Sequence, residues 1–517
     1  MRCMEKHSDA FNITELFYSS AGKHPSKTAL HYRDHAITFS ALEQQVTDYA
    51  QYLLSKGISK GDRVMVFLPM SIDLYRTVLA IFSIGATAVF LDEWVSKSRM
   101  EACCRVAPCK ALIGRFKVRL LSLLSSELRK IPIMLSAKYV QPEKKYAVPL
   151  TTADDTALIT FTTGSTSIPK AAKRTHGFLR AQFDVLLQKI QTHDHEIDMP
   201  VLPIVLLMNF GTGTTSVIAD FNARKPDTLQ PENILKQLKK YQVTRIIASP
   251  FFIKQIAKHL ISTKAKTPNL TRIITGGAPV FMAEATIYCE AFPDATIEIV
   301  YGSTESEPIS SISAFQLIKE NNKNSLRGLP VGRVDKNTSV KIISVTDASL
   351  HLHADEELSE LQSPPYVIGE IIVSGKHVLR EYINNEEALK RNKIFIQGTC
   401  WHRTGDSGFM DDEGNLYLTG RCNSLIHYKG QILAPFVYEN YFLSINGVET
   451  GTIMLKEGRF YAIIEANSFA DKELITQEIH KHPIPPEQIL FMNKIPRDPR
   501  HNSKIDYAKL FKLCLVK

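Results

Sequence analysis

The sequence predicts an α/β protein with a large N-terminal domain of parallel α/β sheets, a small β-barrel-like subdomain and a small α+β C-terminal domain. Three observations carry this prediction. The chain has 517 residues, which is too long for one hydrophobic core. Apolar, β-branched runs alternate with segments of helical spacing over most of its length. From about Gly369 onward, short strands bounded by glycines replace this alternation.

The alternating part supplies the predicted parallel sheets and the helices that cover them. Buried strands are expected at Arg63–Leu68, Ala86–Val89, Ala111–Ile113, Arg245–Pro250 and Arg272–Gly277. Helices are expected at Phe39–Lys56, Ile72–Ser83 and Pro231–Tyr241. Because strands of this kind are joined through helices, they should pair in parallel.

The later part of the chain predicts an antiparallel subdomain and then a domain boundary. Runs such as Gly369–Gly375 and Gly414–Gly420 are short, apolar and closed by glycine, as in small antiparallel sheets or barrels. After Gly420 and Arg421 helical and strand-like segments mix again. We therefore expect residues 1–420 to form the N-terminal domain and residues 421–517 the C-terminal domain.

Composition excludes several classes of function. The formal charge of +9 is compatible with an anionic ligand but too mild and too scattered for a nucleic-acid-binding surface. None of the eight cysteines has zinc-ligand or CxxC spacing, so reduced thiols in a cytoplasmic protein are expected. The N-terminus lacks the apolar core of a signal peptide, and no transmembrane segment is expected.

A run of hydroxyl side chains around one glycine predicts a phosphate-binding loop. Residues 161–170 read FTTGSTSIPK, directly after the apolar stretch Ala157–Thr160. Glycine lets backbone N–H groups approach an oxyanion, hydroxyls add donors and lysine adds a positive charge. The candidate ligands of phosphate are Thr162, Thr163, Gly164, Ser165, Thr166 and Lys170. The ending Pro-Lys-Ala differs from a Walker A loop, so kinase or GTPase chemistry is disfavoured; a surface turn without ligand remains the alternative.

Further motifs follow this loop in a fixed order. They are Thr275–Val280, Val300–Ser306, Trp401–Asp406, Gly420-Arg421 and Asn502–Asp506. In this order and at these separations they resemble the adenylate-forming superfamily, which includes acyl-CoA synthetases, adenylation domains of nonribosomal peptide synthetases and luciferases. The resemblance covers essentially the whole chain. It implies an N-terminal AMP-binding domain over residues 1–420 and a mobile C-terminal lid over residues 421–517.

The resemblance implies that Gly277, Ala278, Pro279 and Tyr301 form an adenine pocket. The small residues would let a ring lie against the backbone, and the flat face of Tyr301 suits stacking on a base. A core tyrosine without ligand is the alternative for Tyr301.

Two acidic positions have implied roles beside the nucleotide. Thr304 and Glu305 are expected on a turn at a strand end, where Thr304 would contact the α-phosphate and Glu305 would bind Mg²⁺. Asp406 is expected in a tight Thr-Gly-Asp turn that aims its carboxylate at the ribose hydroxyls. Arg421 would help to hold ribose or phosphate. For Asp406 and Arg421 the alternative is an ordinary salt bridge.

Lys504 is the predicted catalytic residue. Attack of a carboxylate on the α-phosphate of ATP builds negative charge on the phosphorus centre and the leaving pyrophosphate, which a lysine can neutralise. In the superfamily the matching lysine lies on a C-terminal loop that closes over the site. A further lysine of a basic tail is the alternative.

The expected function is therefore ATP- and Mg²⁺-dependent activation of a carboxylic acid, such as a fatty or 3-hydroxy fatty acid, to an acyl-adenylate. Transfer to CoA, a carrier protein or another thiol would follow. The stretches Arg500–Ile505 and Ser303–Ser310 look most like the branch that contains the β-lactone synthetases of olefin biosynthesis. In that branch the 3-hydroxyl of the substrate replaces the thiol. A catalytically inactive nucleotide-binding sensor or scaffold is a further alternative.

Overall fold

The computed structural model describes most of the chain. The described residues are 10–91, 96–115, 125–162, 169–190, 193, 195–223, 225–267, 269–324, 327–498 and 504–515. Among them, no helix is both long and apolar enough to cross a bilayer. The seven cysteines in this part of the chain are all free thiols.

Sixteen α-helices are present in the described residues. They are α1 (Glu15–Lys23), α2 (Phe39–Ser55), α3 (Ile72–Ser83), α4 (Lys97–Val106), α5 (Ser126–Arg129), α6 (His176–Ile190), α7 (Pro203–Thr212), α8 (Pro231–Lys240), α9 (Pro250–Thr263), α10 (Met282–Ala291), α11 (Ala314–Asn324), α12 (Asp355–Glu360), α13 (Glu386–Asn392), α14 (Pro435–Leu443), α15 (Lys472–His480) and α16 (Tyr507–Leu515).

The described strands number 26. They are β1 (Thr28–Tyr32), β2 (His35–Thr38), β3 (Arg63–Phe67), β4 (Thr87–Phe90), β5 (Ala111–Gly114), β6 (Ile133–Ser136), β7 (Thr156–Thr162), β8 (Lys170–Thr175), β9 (Ile197–Pro200), β10 (Thr215–Val217), β11 (Arg245–Ala248), β12 (Arg272–Gly276), β13 (Thr296–Ser303), β14 (Ser306–Ser313), β15 (Leu329–Val334), β16 (Ser339–Ile343), β17 (Gly369–Ser374), β18 (Tyr382–Ile383), β19 (Lys393–Ile396), β20 (Thr399–Met410), β21 (Asn415–Arg421), β22 (Ile426–Tyr428), β23 (Gln431–Leu433), β24 (Val448–Lys456), β25 (Arg459–Ala466) and β26 (Gln488–Met492).

The chain divides into two compact units. Unit 1 comprises residues 1–247, 304–307 and 376–390, and unit 2 comprises residues 248–303, 308–375 and 391–517. The predicted boundary after Gly420 stays a prediction.

Unit 1 contains a seven-stranded sheet in the order β18-β8-β7-β4-β3-β5-β6. Strands β7, β4, β3, β5 and β6 pair in parallel, as their apolar runs predict, whereas β8 is antiparallel to β7 and to β18. A second group of strands has the order β11-β9-β10-β1-β2. Phe17, Phe39 and Phe210 meet in the helical core of this unit, each with its ring buried.

Local sequence signals explain where the predicted helices begin. Helix α3 has the predicted bounds, and the hydroxyl of Ser71 before it accepts a hydrogen bond from the N–H of Leu74. Thr38 caps α2 in the same way, accepting from the N–H of Ala41. Such side chains satisfy N–H groups that have no partner inside the helix.

Unit 2 combines a parallel pair with antiparallel strands. Strands β12 and β13 run parallel, in register from Arg272 opposite Thr296 to Gly276 opposite Val300. Strands β16, β17, β20, β21, β15 and β14 pair antiparallel in that order. The antiparallel strands predicted after Gly369 are thereby confirmed. The mixed content expected after Gly420 is also confirmed, because β24, β25 and β26 form a sheet beside helices α14 to α16.

Candidate active site

The predicted phosphate-binding loop joins two neighbouring strands. Strand β7 ends at Thr162 and β8 begins at Lys170, and these two residues lie opposite each other in the antiparallel pair. The predicted ligands Thr163, Gly164, Ser165 and Thr166, and the side chain of Thr162, lie outside the described residues. The two ends of the loop therefore lie side by side at the end of the β7–β8 pair, and Lys170 is the first residue of β8.

Tyr382 connects Lys170 with Glu305. Strand β18 pairs with β8, so that Tyr382 lies opposite Ala172. The ring of Tyr382 has the ammonium group of Lys170 6.0 Å from its centroid, and its hydroxyl donates a hydrogen bond of 3.2 Å to Oε1 of Glu305. Both Tyr382 and Glu305 are buried. The structure thus brings together two of the predicted site residues through a tyrosine that the sequence motifs did not single out.

The turn that carries Thr304 and Glu305 is anchored to the same sheet. As predicted, both residues lie in a turn between β13 and β14. The carbonyl oxygen of Thr304 accepts a 2.9 Å hydrogen bond from Arg174 on β8, and that of Glu305 accepts one of 2.7 Å from the N–H of Leu379. Arg174 is buried, and its hydrogen bond attaches the turn to strand β8.

Glu305 has the donor atoms that Mg²⁺ requires. Within the described residues its Oε2 has no hydrogen-bond or ion-pair partner, while Oε1 accepts from Tyr382. No group of three or more histidine, cysteine, aspartate or glutamate side chains in this part of the chain could hold a metal alone. Mg²⁺ commonly binds through one or two carboxylates together with substrate phosphates and water, which one free carboxylate oxygen fits.

In unit 2 the predicted adenine-binding residues lie at the carboxyl ends of two adjacent strands. Gly277 follows β12 and Tyr301 follows Val300 on β13, which is opposite Gly276. A Cβ atom at Gly276 would lie 2.5 Å from the carbonyl oxygen of Val300, so only glycine fits there. Gly277 has φ +84°, a conformation that glycine adopts without strain. Ala278 and Pro279 continue from it and are half-buried, so the predicted set is contiguous.

Asp406 is not in a tight turn, and that prediction is wrong. It lies inside the long strand β20, which pairs with β17 on one side and β21 on the other. The register shifts between Glu370 and Ile372 of β17, so Gly405, with φ +70°, belongs to a bulge. A bulge redirects a side chain without ending the strand, which a Thr-Gly-Asp sequence does not distinguish from a turn.

Tyr301, Asp406 and Arg421 form one hydrogen-bonded cluster. The hydroxyl of Tyr301 donates to Oδ2 of Asp406 at 2.8 Å, and Nη1 of Arg421 donates to Oδ1 at 2.6 Å. Asp406 and Arg421 are directly opposite each other on β20 and β21. The salt bridge that the sequence left open for these two residues is therefore present, and both oxygens of the carboxylate face partners.

The electrostatics of this cluster follow from burial and from the carboxylate. Burial, and secondly the negative charge of Asp406, raise the pKa of Tyr301 well above its usual value. The charge of Asp406 is the main cause of the raised pKa of Arg421. Tyr301 therefore stays a neutral donor and Arg421 a cation at every physiological pH.

A buried ion pair supports the bulge from behind. Arg403 donates two hydrogen bonds to Oε2 of Glu370, at 2.9 and 2.6 Å, and the N–H of Gly405 donates to Oε1 at 3.2 Å. Glu370 and Arg403 are both buried. Glu370 thus holds the backbone immediately before Asp406.

Lys504 lies on an exposed loop of unit 2. Its N–H donates to Oδ1 of Asp498 at 2.9 Å, and its carbonyl oxygen accepts from the N–H of Asp498 at 2.8 Å. Arg497 and Ile505 form an antiparallel bridge next to this pair. The backbones of Asp498 and Lys504 are therefore hydrogen-bonded to each other, and the catalytic role of Lys504 stays a prediction.

Comparison with known proteins identifies the family. The family model described as AMP-binding enzyme matches residues 17–383, which is more than half of the chain. The chain belongs to the AMP-binding enzyme family. The adenylate-forming resemblance is thereby confirmed, and the protein is an AMP-forming acid ligase with ATP and a small carboxylic acid as fitting substrates.

Relatives agree over nearly the whole length of this AMP-binding enzyme. It is 26% identical to an olefin β-lactone synthetase of Xanthomonas campestris pv. campestris over 92% of this chain and 90% of that one. It is 23% identical to the putative acyl-CoA ligase YdaB of Bacillus subtilis, covering 92% and 94%. Among solved structures, O-succinylbenzoate coenzyme A synthetase (MenE) of Bacillus subtilis, in complex with ATP and a magnesium ion, aligns with a TM-score of 0.76 at 21% identity, covering 96% and 99%. The fold class, a large N-terminal α/β domain with a small C-terminal domain, is confirmed.

An apolar cavity in unit 1 of the AMP-binding enzyme lies between α1, α3, α6 and α7. Its volume is about 60 Å³, several times the roughly 10–15 Å³ that one water molecule requires. The lining includes Phe82, Phe183, Leu186, Leu207 and Met208. Helix α7 contributes both to the hydrophobic core of unit 1 and to the lining of this cavity.

One side chain in this lining is polar and has capacity for a further hydrogen bond. Gln182 has 5% of its surface exposed and lines the cavity. Its amide atoms are not among the fully buried, unpartnered polar atoms of the described residues. The other polar lining side chain, Thr14, donates to Oδ1 of Asn12 at 2.7 Å. Gln182 thus adds a donor and an acceptor to an otherwise apolar lining.

Sequence reasoning missed Tyr382, Arg174 and Gln182. Tyr382 lies far along the chain from Lys170, and only the pairing of β18 with β8 brings them together. Arg174 lies on strand β8. An arginine in a buried strand predicts a hydrogen-bond acceptor nearby, because a buried guanidinium group must be hydrogen-bonded. Gln182 is a polar residue in the helix α6, whose neighbours in the cavity lining are apolar, and this pattern is only a weak sequence signal.

Proposed function

We propose that this ligase activates a fatty acid that carries a hydroxyl group, such as a 3-hydroxy fatty acid. The substrate carboxylate attacks the α-phosphorus of ATP, the bond to the β-phosphate oxygen breaks, and acyl-adenylate and pyrophosphate form. The observation that carries the substrate class is the apolar cavity in unit 1 with Gln182 in its lining. An aliphatic chain fits the apolar lining, and the amide of Gln182 has the donor and acceptor atoms that bond a hydroxyl.

Each cluster of the site has a proposed task in this reaction. Asp406 accepts hydrogen bonds from ribose, and Tyr301 lies against adenine together with Gly277–Pro279. Thr304 contacts the α-phosphate. Lys504 neutralises the charge that develops on the phosphorus centre and pyrophosphate.

A second group of residues has proposed tasks toward the phosphates of ATP and Mg²⁺. Lys170 and the loop 162–166 bind the β- and γ-phosphates. Glu305 is the protein ligand of Mg²⁺, which when bound neutralises phosphate charge. Tyr382 holds the carboxylate of Glu305 in a fixed orientation through its hydroxyl.

For the second step we propose closure of a β-lactone. The 3-hydroxyl oxygen attacks the acyl carbon, the bond between that carbon and the phosphate oxygen breaks, and AMP leaves with the electron pair while the hydroxyl proton passes to solvent. Similarity to the olefin β-lactone synthetase supports this outcome. Transfer to CoA or a carrier-protein thiol is the second candidate, which similarity to the putative acyl-CoA ligase supports. Either reaction would take place in the cytoplasm.

Acid-dependent exchange of labelled pyrophosphate into ATP tests the first step. Wild-type protein should support exchange with a 3-hydroxy fatty acid, and Lys504→Ala should lower the rate at least about a hundredfold. Absence of exchange with every acid tried would favour a nucleotide-binding scaffold instead. Mass spectrometry of products formed with and without CoA separates the two second steps, since acyl-CoA without any lactone would refute β-lactone closure.

Cavity variants test the substrate class separately from the chemistry. Leu186→Trp should lower kcat/KM for long-chain acids by roughly tenfold relative to short-chain acids, because the indole occupies the space of the chain. Leu150→Trp is the matched control, as Leu150 is exposed. Gln182→Leu should narrow the preference for hydroxylated over plain acids. Unchanged chain-length and hydroxyl preferences in both cavity variants would refute this assignment of the cavity.

A further inference from the structure

The loop that carries Lys504 is held at its beginning by a carboxylate of unit 2. Nη2 of Arg497 lies 3.1 Å from Oε2 of Glu465 and donates a 2.7 Å hydrogen bond to the hydroxyl of Thr450. The N–H of Ile495 donates to the same Glu465 at 2.8 Å. Glu465 therefore fixes the chain just before the loop leaves the sheet formed by β24, β25 and β26.

A second carboxylate holds the other end of the loop. Tyr507 is the first residue of α16, three positions after Lys504, and its hydroxyl donates to Oε1 of Glu439 on α14. Thr452 on β24 donates to the same oxygen at 2.8 Å. Further along α16, Leu510 is buried in the cluster that covers this sheet. The tyrosine hydroxyl thus ties the helix start directly to the body of unit 2.

Glu439 is an unusual group in this place. It is 5% exposed and, within the described residues, forms no ion pair with a lysine, arginine or histidine. Burial raises its pKa to about 7, with the hydrogen bonds from Tyr507 and Thr452 opposing that rise. A buried carboxyl group without a cation costs stability that an apolar side chain would not. We therefore assign Glu439 the role of accepting the hydrogen bonds from Tyr507 and Thr452.

We propose that Glu439 and Tyr507 are positioning residues for Lys504, acting by fixing the start of α16 and hence the direction in which the loop presents its lysine. A lysine that must meet a charge developing in the transition state loses effect when its backbone is displaced by a fraction of an ångström to one ångström. The proposal rests on the proposed role of Lys504 in adenylation.

Removing the tyrosine hydroxyl is the primary test. In the full-length enzyme, Tyr507→Phe should lower kcat of acid-dependent pyrophosphate exchange about tenfold while KM for ATP stays unchanged. Tyr441→Phe is the matched control, because the hydroxyl of Tyr441 donates to the carbonyl oxygen of Glu478 on α15 without touching the Lys504 loop. Glu439→Gln, which keeps an acceptor oxygen, should retain most activity, whereas Glu439→Leu should match Tyr507→Phe.

Combination with Lys504→Ala separates positioning from general structural damage. In that background Tyr507→Phe should cause no further loss, since its effect passes through the lysine. A further tenfold loss would overturn the proposal, as would full activity of Tyr507→Phe when Lys504→Ala is impaired. Full activity of Lys504→Ala itself would instead refute the proposed role of the lysine, so the two failures are distinguishable.

Discussion

Replacing His176 by asparagine should make the free energy of unfolding less dependent on pH in the acidic range. His176 is fully buried at the start of α6, and its Nδ1 accepts a 3.2 Å hydrogen bond from the N–H of Ile13. Burial is the main cause that lowers its pKa from 6.5 to about 4; Asp155 opposes this shift and Lys60 adds to it. The folded state therefore keeps the imidazole neutral.

The sign and size of the effect follow from this shift. Because the folded-state pKa is below the unfolded-state value, the unfolded chain takes up the proton first as the pH falls. The stability contribution is fully present above the ordinary pKa and is lost as the pH falls from there to the folded-state value. At about 1.4 kcal/mol per pKa unit the loss is about 3 kcal/mol in total, of which about 2 kcal/mol is reached near pH 5.

Asparagine removes this titration but keeps an acceptor for the N–H of Ile13. Between about pH 7.5 and about pH 5, the free energy of unfolding of His176→Asn should fall by about 2 kcal/mol less than that of the wild type. Urea unfolding followed by hydrogen exchange of unit 1 peptides measures it, which avoids treating two units as one transition. His480→Asn is the control, since His480 is exposed. Equal pH dependence of His176→Asn and wild type would refute the reasoning.

Three further predictions concern the site and its support. Tyr382→Phe should raise KM for MgATP roughly fivefold with little change in melting temperature, because Glu305 loses an orienting hydrogen bond; unchanged KM would contradict this role. Arg245→Met should destabilise the protein by about 3–5 kcal/mol in urea unfolding, because it leaves the buried carboxylates of Glu196 and Asp198 without their cation. Arg180→Ala, which removes an exposed ion pair with Asp184, should cost under about 1 kcal/mol. Gly276→Ala should weaken ATP binding in titration calorimetry, because its Cβ would push strand β13 away at the end proposed to bind adenine, and wild-type affinity would contradict this.

Local sequence signals were sufficient to place the helices and strands that were predicted individually. Ile72–Ser83 was predicted with its observed bounds, and in the structure the cap formed by Ser71 accounts for where the helix begins. The strand predicted at Arg63–Leu68 ends one residue earlier, at Phe67, and that at Arg245–Pro250 ends at Ala248, where Pro250 starts a helix instead. Boundaries depend on which backbone groups find partners across the sheet, and that information is not local.

The candidate site was predictable as a set of positions but not as a set of contacts. Motif order identified Glu305, Asp406 and Lys504, whose chemistry is visible in their residue types. The partners proposed to orient them are ordinary residues that the fold brings in, Tyr382 through the pairing of β18 with β8 and Tyr507 through the packing of α16. No spacing rule reports such contacts, because their sequence separation is arbitrary.

Asp406 shows why a salt bridge and a ligand site need not be alternatives. Each of its oxygens accepts one bond from the protein, Oδ2 from Tyr301 and Oδ1 from Arg421. A carboxylate has about four lone-pair positions, so each oxygen retains capacity for a further donor such as a ribose hydroxyl. The two existing bonds fix the plane of the carboxylate, which would lower the entropy lost on binding a sugar. The ion pair with Arg421 was the alternative to ribose binding in the sequence analysis. In the structure this ion pair would orient Asp406 for binding ribose.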